Sequence, residues 1–487
     1  MYLGIDLGTS GLKALLIDEA QRPVGSATAP LTVSRPHPGW SEQDPADWVA
    51  AAEAAIERLR RDHAPALAAV KGIGLSGQMH GATLLDASDR PLRPCILWND
   101  TRSHAEASLL DTDPRFRAIS GNIVFSGFTA PKLVWVKAHE PKISAATAKV
   151  LLPKDYLRLW LTGEAVSEMS DAAGTSWLDT RARAWSPELL DASLMRPDQM
   201  PRLVEGTESS GALRRDLAAR WGMGPSVAVA GGAGDNAASA VGVGTVAAGS
   251  AFVSLGTSGV LFAATDSYLP SPETAVHSFC HALPGRWHQM GVILSATASL
   301  DWFAGISGTT SAALLAEIDD KPAGPGSITF LPYLSGERTP HNDARIRGAF
   351  VGLAHEHDRA AMTRAVLEGV VFALRDCLEA MRAAGASPER LTAVGGGTRA
   401  PAWTNLIATV LGIPVDLPAE GDFGAAFGAA RLGLMAATGA DPTDVCTPPA
   451  IAHTAEPRRQ LTGAYDEAYG RYRALYPAIA ALASRAG

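Results

Sequence analysis

Short apolar runs and longer apolar stripes alternate along the chain, and most of the short runs end in glycine. Residues 2–17 predict two strands around a glycine-bounded turn. Residues 251–264 predict the same pair again, each centred on Leu-Gly-Thr-Ser-Gly, at 7–11 and 255–259. The runs at 70–75, 226–230 and 391–394 also end in Gly or Gly-Gly, as buried strands do when they hand the chain to a loop. Helical stripes lie between them. In 45–61, Trp48, Ala52, Ile56 and Leu59 share a face, with Asp44 as N-cap and Pro45 at the first helical position. After Asp358, a second stripe of Met362, Val366, Val370, Leu374, Leu378 and Met381 stops near Gly385. Tyr465, Tyr469, Tyr472 and Tyr476 form a third, an aromatic face for packing. Strands alternating with helices predict an α/β protein.

The repeated pentapeptide opens each half of a 487-residue chain, which is longer than one core usually organises. Two similar domains, 1–245 and 246–487, with a cleft between them, are therefore expected. A net charge of −8 with 19% charged residues offers no polyanion-binding surface, so no nucleic-acid partner is expected. No apolar run is long enough to span a bilayer, and the opening residues lack the basic segment of a secretion signal. Cys95, Cys280, Cys377 and Cys446 are scattered without disulfide or zinc spacing. The expectation is a cytoplasmic protein with reduced thiols and no membrane partner.

A Gly-Thr-Ser turn offers successive backbone N–H groups and two hydroxyls, a concavity suited to phosphate oxygens. Two facing copies would grip a triphosphate from both sides, with Thr9, Ser10 and Lys13 on one and Gly256, Thr257 and Ser258 on the other. One such turn alone is more often a plain hairpin; the duplication carries the reading. The copies differ where chemistry would need it: Asp6 corresponds to Ser254, and Lys13 to Leu261. A carboxylate beside a polyphosphate calls for a divalent cation, so Asp6 is expected to hold Mg²⁺, directly or through water, while Lys13 offsets phosphate charge. The alternative is a strand-end Asp that caps its own turn.

Asp235 follows Gly-Gly-Ala-Gly and opens an Ala-rich helix. That position suits an N-cap, a proton acceptor for an attacking hydroxyl, or both. Asp235 is also the second candidate for facing the metal. The glycine-bracketed turn at 77–81 presents Gln78, Met79 and His80, and His80 is either structural or placed to hydrogen-bond a sugar hydroxyl. Trp98, followed by Asn99, Asp100 and Arg102, adds groups suited to a carbohydrate. Gly395, Gly396 and Gly397 precede a helix and would let backbone approach adenine and ribose, whereas the small residues of 424–430 predict tight helix packing.

These segments resemble the FGGY carbohydrate kinases over essentially the whole chain. The matching motifs are Gly-Ile-Asp-Leu-Gly-Thr-Ser (4–10), Gly-Gln-Met-His-Gly-Ala-Thr (77–83), Ile-Leu-Trp-Asn-Asp (96–100), Phe-Thr-Ala-Pro-Lys-Leu-Val-Trp (128–135), Gly-Asp-Asn (234–236) and Phe-Leu-Pro-Tyr-Leu-Ser-Gly-Glu-Arg-Thr-Pro (330–340). The resemblance implies two duplicated actin-like ATPase (ribonuclease H-like) domains with an interdomain cleft. It implies ATP and Mg²⁺, and transfer of the γ-phosphoryl group to O5 of a ketopentose, D-xylulose. It also implies Asp235 as proton acceptor, Met79, His80, Asp235 and Asn236 around the sugar, and Asp6 supporting Mg·ATP. By the same similarity Gly256, Thr257 and Ser258 meet phosphates, and Gly395, Gly396 and Gly397 meet the adenosine. Ala400 stands where relatives often carry a polar residue, so an ATP contact there would be through backbone. A homodimer is compatible with the resemblance. Two alternatives stay open: an FGGY kinase acting on ribulose, another ketose or a polyol, and an actin-like ATPase with no small acceptor.

Overall fold

The computed structural model describes residues 1–321, 323–419, 421 and 423–483. The first Leu-Gly-Thr-Ser-Gly joins β1 (Tyr2–Leu7) to β2 (Gly11–Ile17), an antiparallel hairpin extended by β3 (Pro23–Pro30). Helix α1 (Pro45–Ala68) then crosses back to β4 (Gly72–Gly77), which lies parallel to β1. A long insertion follows, holding α2 (Thr129–His139) and α3 (Pro153–Thr162). Next, β5 (Ser209–Ala212), β6 (Ala228–Ala230) and the short β7 (Ala233–Gly234) complete the sheet. Its order is β5-β6-β4-β1-β2-β3, with β7 also pairing with β4, and α4 (Asp235–Gly242) leaves β7 at once.

The second half repeats the plan. Its strands are β8 (Ser250–Leu255), β9 (Gly259–Thr265), β10 (His277–Cys280), β11 (Trp287–Ile293), β12 (Arg390–Val394), β13 (Val415–Pro418) and β14 (Ile451–Ala455). Its helices include α5 (Thr297–Ile306), α6 (Arg359–Ala383), α7 (Pro401–Leu411), α8 (Ala425–Thr438) and α9 (Thr462–Ala483). The order is β10-β11-β9-β8-β12-β13-β14. In each sheet the opening strand has antiparallel neighbours on one side and a parallel strand on the other, so the duplicated motif marks a duplicated topology.

The helices form where local signals placed them. Asp44 accepts from the Ala46 N–H at 2.9 Å, a cap worth about 1 kcal/mol, and Trp48, Ala52, Ile56 and Leu59 are all buried. The helix runs past residue 61 to Ala68, with non-helical backbone at His63 ahead of Pro65, whose ring removes a backbone donor. Asp358 caps α6 by accepting from the Ala361 N–H at 2.8 Å. The aromatic face of α9 packs as expected and also bonds: the Tyr469 hydroxyl donates to Asp376 at 2.6 Å, and the Tyr472 and Tyr333 hydroxyls lie 2.9 Å apart.

Small residues let the two halves interlock. Helix α8, from the second half, lies so close to the first sheet that a Cβ on Gly74 would stand 1.7 Å from the Ala429 carbonyl oxygen, and one on Gly4 1.9 Å from that of Ala426. A Cβ on Gly428 would meet the Ala238 carbonyl of α4 at 1.8 Å. In return α4, from the first half, packs Ala240 against Phe252 and Phe262 of the second sheet. Each half thus lends one helix to the other. All four cysteines are buried and unpaired, and among the described residues no helix is long and apolar enough to cross a membrane.

Candidate active site

Strand register assembles the site. On β1 and β4, Asp6 lies opposite Ser76 and Leu7 opposite Gly77. On the other side of β4, Ala233 lies opposite Ser76 and Gly234 opposite Gly77. The three loops that carry Thr9 and Ser10, Gln78 to His80, and Asp235 therefore emerge side by side at the carboxyl ends of parallel strands, where open α/β sheets bind ligands. Ser76 donates its hydroxyl to Asp6 Oδ1 at 2.9 Å, and Lys13 is the direct cross-strand partner of Asp6.

Asp235 is the first residue of α4, and the N-cap is Gly234, with φ −60° and ψ 154°. Asp235 stands one position too late to cap the helix, which corrects the capping alternative. Its Oδ1 accepts instead from the Asn236 N–H at 2.7 Å and the Asn236 amide at 3.0 Å. Burial, and after it the charge of Asp6, push the Asp235 carboxyl up to about 6, against the lowering effect of the Asn236 hydrogen bonds. A carboxylate so placed is a better proton acceptor than one in water.

His80 is held on several sides. Its backbone is left-handed, with φ 69°. Nδ1 lies 2.8 Å from the Gly174 carbonyl oxygen, so Nδ1 carries the proton and Nε2 is left as an acceptor. The ring stacks on Phe128 at 4.6 Å, and the His80 carbonyl accepts from Lys132 Nζ at 2.8 Å and the Thr129 hydroxyl at 3.1 Å. Burial lowers the imidazole to about 3, so it is neutral at working pH. Met79 fills the gap between two glycines: a Cβ on Gly174 would lie 3.1 Å from Met79 Cε, and one on Gly234 2.9 Å from Met79 Sδ.

Thr9 is tied into a ring of hydrogen bonds. Its hydroxyl donates to Gln78 Oε1 at 3.1 Å and accepts from the Trp98 indole N–H at 3.0 Å. The Gln78 amide donates to Gln43 Oε1 at 2.8 Å, and the Gln43 amide donates to the Thr9 carbonyl at 2.7 Å. The Thr9 hydroxyl proton is thus committed within the protein. Ser10 is exposed, and Trp98, at 44% exposure, keeps much of its ring open.

The second turn closes differently from the first. Gly8 N–H bonds the Gly11 carbonyl at 3.0 Å, whereas Gly256 N–H bonds the Ser258 carbonyl at 3.0 Å. The Gly256 carbonyl accepts from the Thr297 N–H, the first residue of α5, at 3.0 Å, and the Thr257 and Ser258 side chains are exposed. β12 runs parallel to β8, with Ser254 opposite Val394, so Gly395 follows beside Leu255. A Cβ on Gly395, at φ 90°, would lie 2.7 Å from the Leu255 carbonyl oxygen. Next to the turn lies a pocket of about 650 Å³, walled by Gly256, Leu300, Leu315, Gly396, Ala400 and Trp403 among others. Its volume suits a nucleoside-sized ligand.

Residues 1–242 match the FGGY family of carbohydrate kinases, N-terminal domain, and residues 251–437 match the C-terminal domain of the same family. The chain belongs to the FGGY family of carbohydrate kinases. The xylulose kinase of Escherichia coli (strain K12) is 50% identical to this FGGY kinase over 439 residues, 90% of each chain. A crystal structure described as a xyloylose kinase from Brucella ovis matches it with a TM-score of 0.98 at 67% identity, covering 99% of each chain. The gluconate kinase from Lactobacillus acidophilus matches with a TM-score of 0.92 at 25% identity, covering 100% of this chain and 99% of its own. As a member of this family the chain is an ATP-using carbohydrate kinase.

Several residues around the FGGY kinase site are brought there by contacts that local sequence does not reveal. Lys132 lies in the 128–135 motif, and its place on an otherwise apolar helical face is the signal that marks it. Gln43, Ser170 and Gly174 carried no local signal; long-range contacts alone bring them to the site.

Proposed function

We propose that this FGGY kinase transfers the γ-phosphoryl group of ATP to O5 of D-xylulose, giving D-xylulose 5-phosphate. The observation that carries the reading is the placement of Asp235 at the head of α4, one strand away from the loop bearing Met79 and His80, where burial and the charge of Asp6 raise its carboxyl. The high identity to relatives named xylulose kinase supports the choice of sugar.

In this reading His80 Nε2 accepts from one sugar hydroxyl, Asn236 donates to another oxygen, and Met79 lies against the carbon chain. Asp235 orients the O5 hydroxyl and takes its proton as the O5–P bond forms and the bond from γ-phosphorus to the leaving ADP oxygen breaks. Positioning dominates, because the transition state is loose. Backbone of Thr9 and Ser10, with Lys13, would meet phosphates from one half, and Gly256, Thr257 and Ser258 from the other. Gly395, Gly396, Gly397 and the Ala400 backbone would border the adenosine in the 650 Å³ pocket.

Mg²⁺ fits as a passenger of the nucleotide. Asp6 and Asp235 would supply carboxylates, directly or through water, and among the described residues no three ligating side chains gather, which suits an ion that arrives with the phosphates. The ion would neutralise phosphate charge. Residues 1–245 would then carry the sugar and 246–487 the nucleotide, in a cytoplasmic enzyme.

ATP consumption measured across xylulose, ribulose, gluconate and glycerol tests the assignment, with the highest kcat/KM expected for xylulose. Asp235→Ala should cut turnover by roughly two to four orders of magnitude with the fold intact. A better acceptor among the others, or near-normal turnover by the folded variant, would overturn it.

A further inference from the structure

Beneath the sugar loop lies a cluster of fully buried ions that the reaction chemistry does not use. Lys154 Nζ on α3 stands 2.8 Å from Asp155 Oδ1, 3.1 Å from Glu168 Oε1 and 2.9 Å from Asp171 Oδ2. Arg158, one turn on, donates to Asp155 Oδ1 and to the Val166 carbonyl, both at 2.6 Å. Burial, aided by the charges of Asp155 and Glu168, pushes the Asp171 carboxyl up to about 8. Two cations thus face three carboxyl groups, and their mutual pairing offsets the cost of burying each charge.

The cluster reaches the active site at three points. Glu168 accepts from the Ser170 N–H and the Ser170 hydroxyl, both at 2.7 Å, and from the Asp171 N–H at 3.0 Å, which shapes the turn from Met169 to Gly174. The Ser170 oxygen in turn accepts the Gly234 N–H at 3.0 Å, immediately before Asp235. Four residues on, the Gly174 carbonyl accepts from the His80 ring at 2.8 Å. Arg158 donates to the Gly231 carbonyl, holding the other end of the glycine turn that delivers Asp235.

We propose that Ser170 is a positioning residue: anchored by the buried ions, it fixes Asp235 through Gly234, while Gly174 in the same turn fixes His80, so that base and sugar ligand keep one spacing. The inference rests on the reading of Asp235 as proton acceptor and His80 as sugar ligand. A glycine-rich turn has little stiffness of its own, and a displacement of about 1 Å at a reacting group can cost a hundredfold in rate. Rigidity here must come from outside the turn.

Lys154→Met would leave buried carboxylates unpaired and can fail to fold, so Ser170→Ala, which removes one hydroxyl, is the decisive variant. Its kcat per folded molecule should fall roughly ten- to a hundredfold with sugar KM within about threefold. Made in an Asp235→Ala background, Ser170→Ala should cause no further loss, because it acts through Asp235. If Asp235→Ala cuts turnover as expected while Ser170→Ala keeps wild-type kcat, whatever its Tm, the positioning role is wrong and the base assignment stands. An equal loss from Ser170→Ala in both backgrounds also overturns the role. Near-normal turnover of folded Asp235→Ala would instead overturn the base assignment, and with it this inference.

Discussion

Asp6 and Asp235 share an environment in which burial, and after it the charge of Asp6, hold the Asp235 carboxyl at about 6. The two residues flank β4, whose Ser76 donates to Asp6. Repulsion between them has a use: it makes Asp235 hold a proton more readily than a solvated carboxylate would.

As the proposed proton acceptor Asp235 must be ionised, so kcat/KM for the sugar should be lost as pH falls through its titration, which in nucleotide-free enzyme is expected near 6. Asp6→Asn removes a like charge and should lower the Asp235 midpoint. NMR titration of the Asp235 carboxyl in nucleotide-free enzyme, wild type against Asp6→Asn, measures this directly. An upward shift would contradict the electrostatic link.

His80, lowered to about 3 by burial, stays neutral across the working range, so sugar KM should show no inflection from His80 between pH 5 and 9. His80→Ala should raise sugar KM by the equivalent of about 1–3 kcal/mol, the cost of one buried hydrogen bond, with ATP KM little changed. Steady-state kinetics with each substrate varied in turn separates the two.

Thr9→Val keeps the shape of the side chain but breaks the bonds to Gln78 and Trp98. It leaves the buried Gln78 carbonyl without its Thr9 donor, so a stability loss of about 1–3 kcal/mol is expected in thermal unfolding. Loosening the first turn should also raise ATP KM more than sugar KM.

Gly74→Ala would push α8 off the first sheet, since its Cβ would fall 1.7 Å from the Ala429 carbonyl oxygen. A loss of about 3 kcal/mol or more is expected. Gly224, where a Cβ meets nothing within 4 Å, is the control, and Gly224→Ala should change stability by less than about 0.5 kcal/mol. Denaturant unfolding of both variants checks the contrast.

The elements legible in the chain were those whose causes lie within a turn or a helix. Asp44 and Asp358 cap the helices they precede, the glycine-terminated runs are strands, and the small residues of 424–430 do serve close packing. The candidate residues Asp6, Met79, His80 and Asp235 stand out in the sequence as well, because each sits in a short glycine-bounded motif at a strand end.

Other features depended on neighbours far along the chain. The same Leu-Gly-Thr-Ser-Gly closes from Gly8 to Gly11 in one copy and from Gly256 to Ser258 in the other, because Gln43 ties the first turn and the start of α5 ties the second. The Thr9 hydroxyl, which reads as a phosphate ligand, spends its proton on Gln78. Ser170 and Gly174 gained their places only when α3 and the turn after Glu168 folded against the loop that carries Met79 and His80. A hydrogen bond forms at about 3 Å, and periodicity along a chain carries no information about which distant segments come that close.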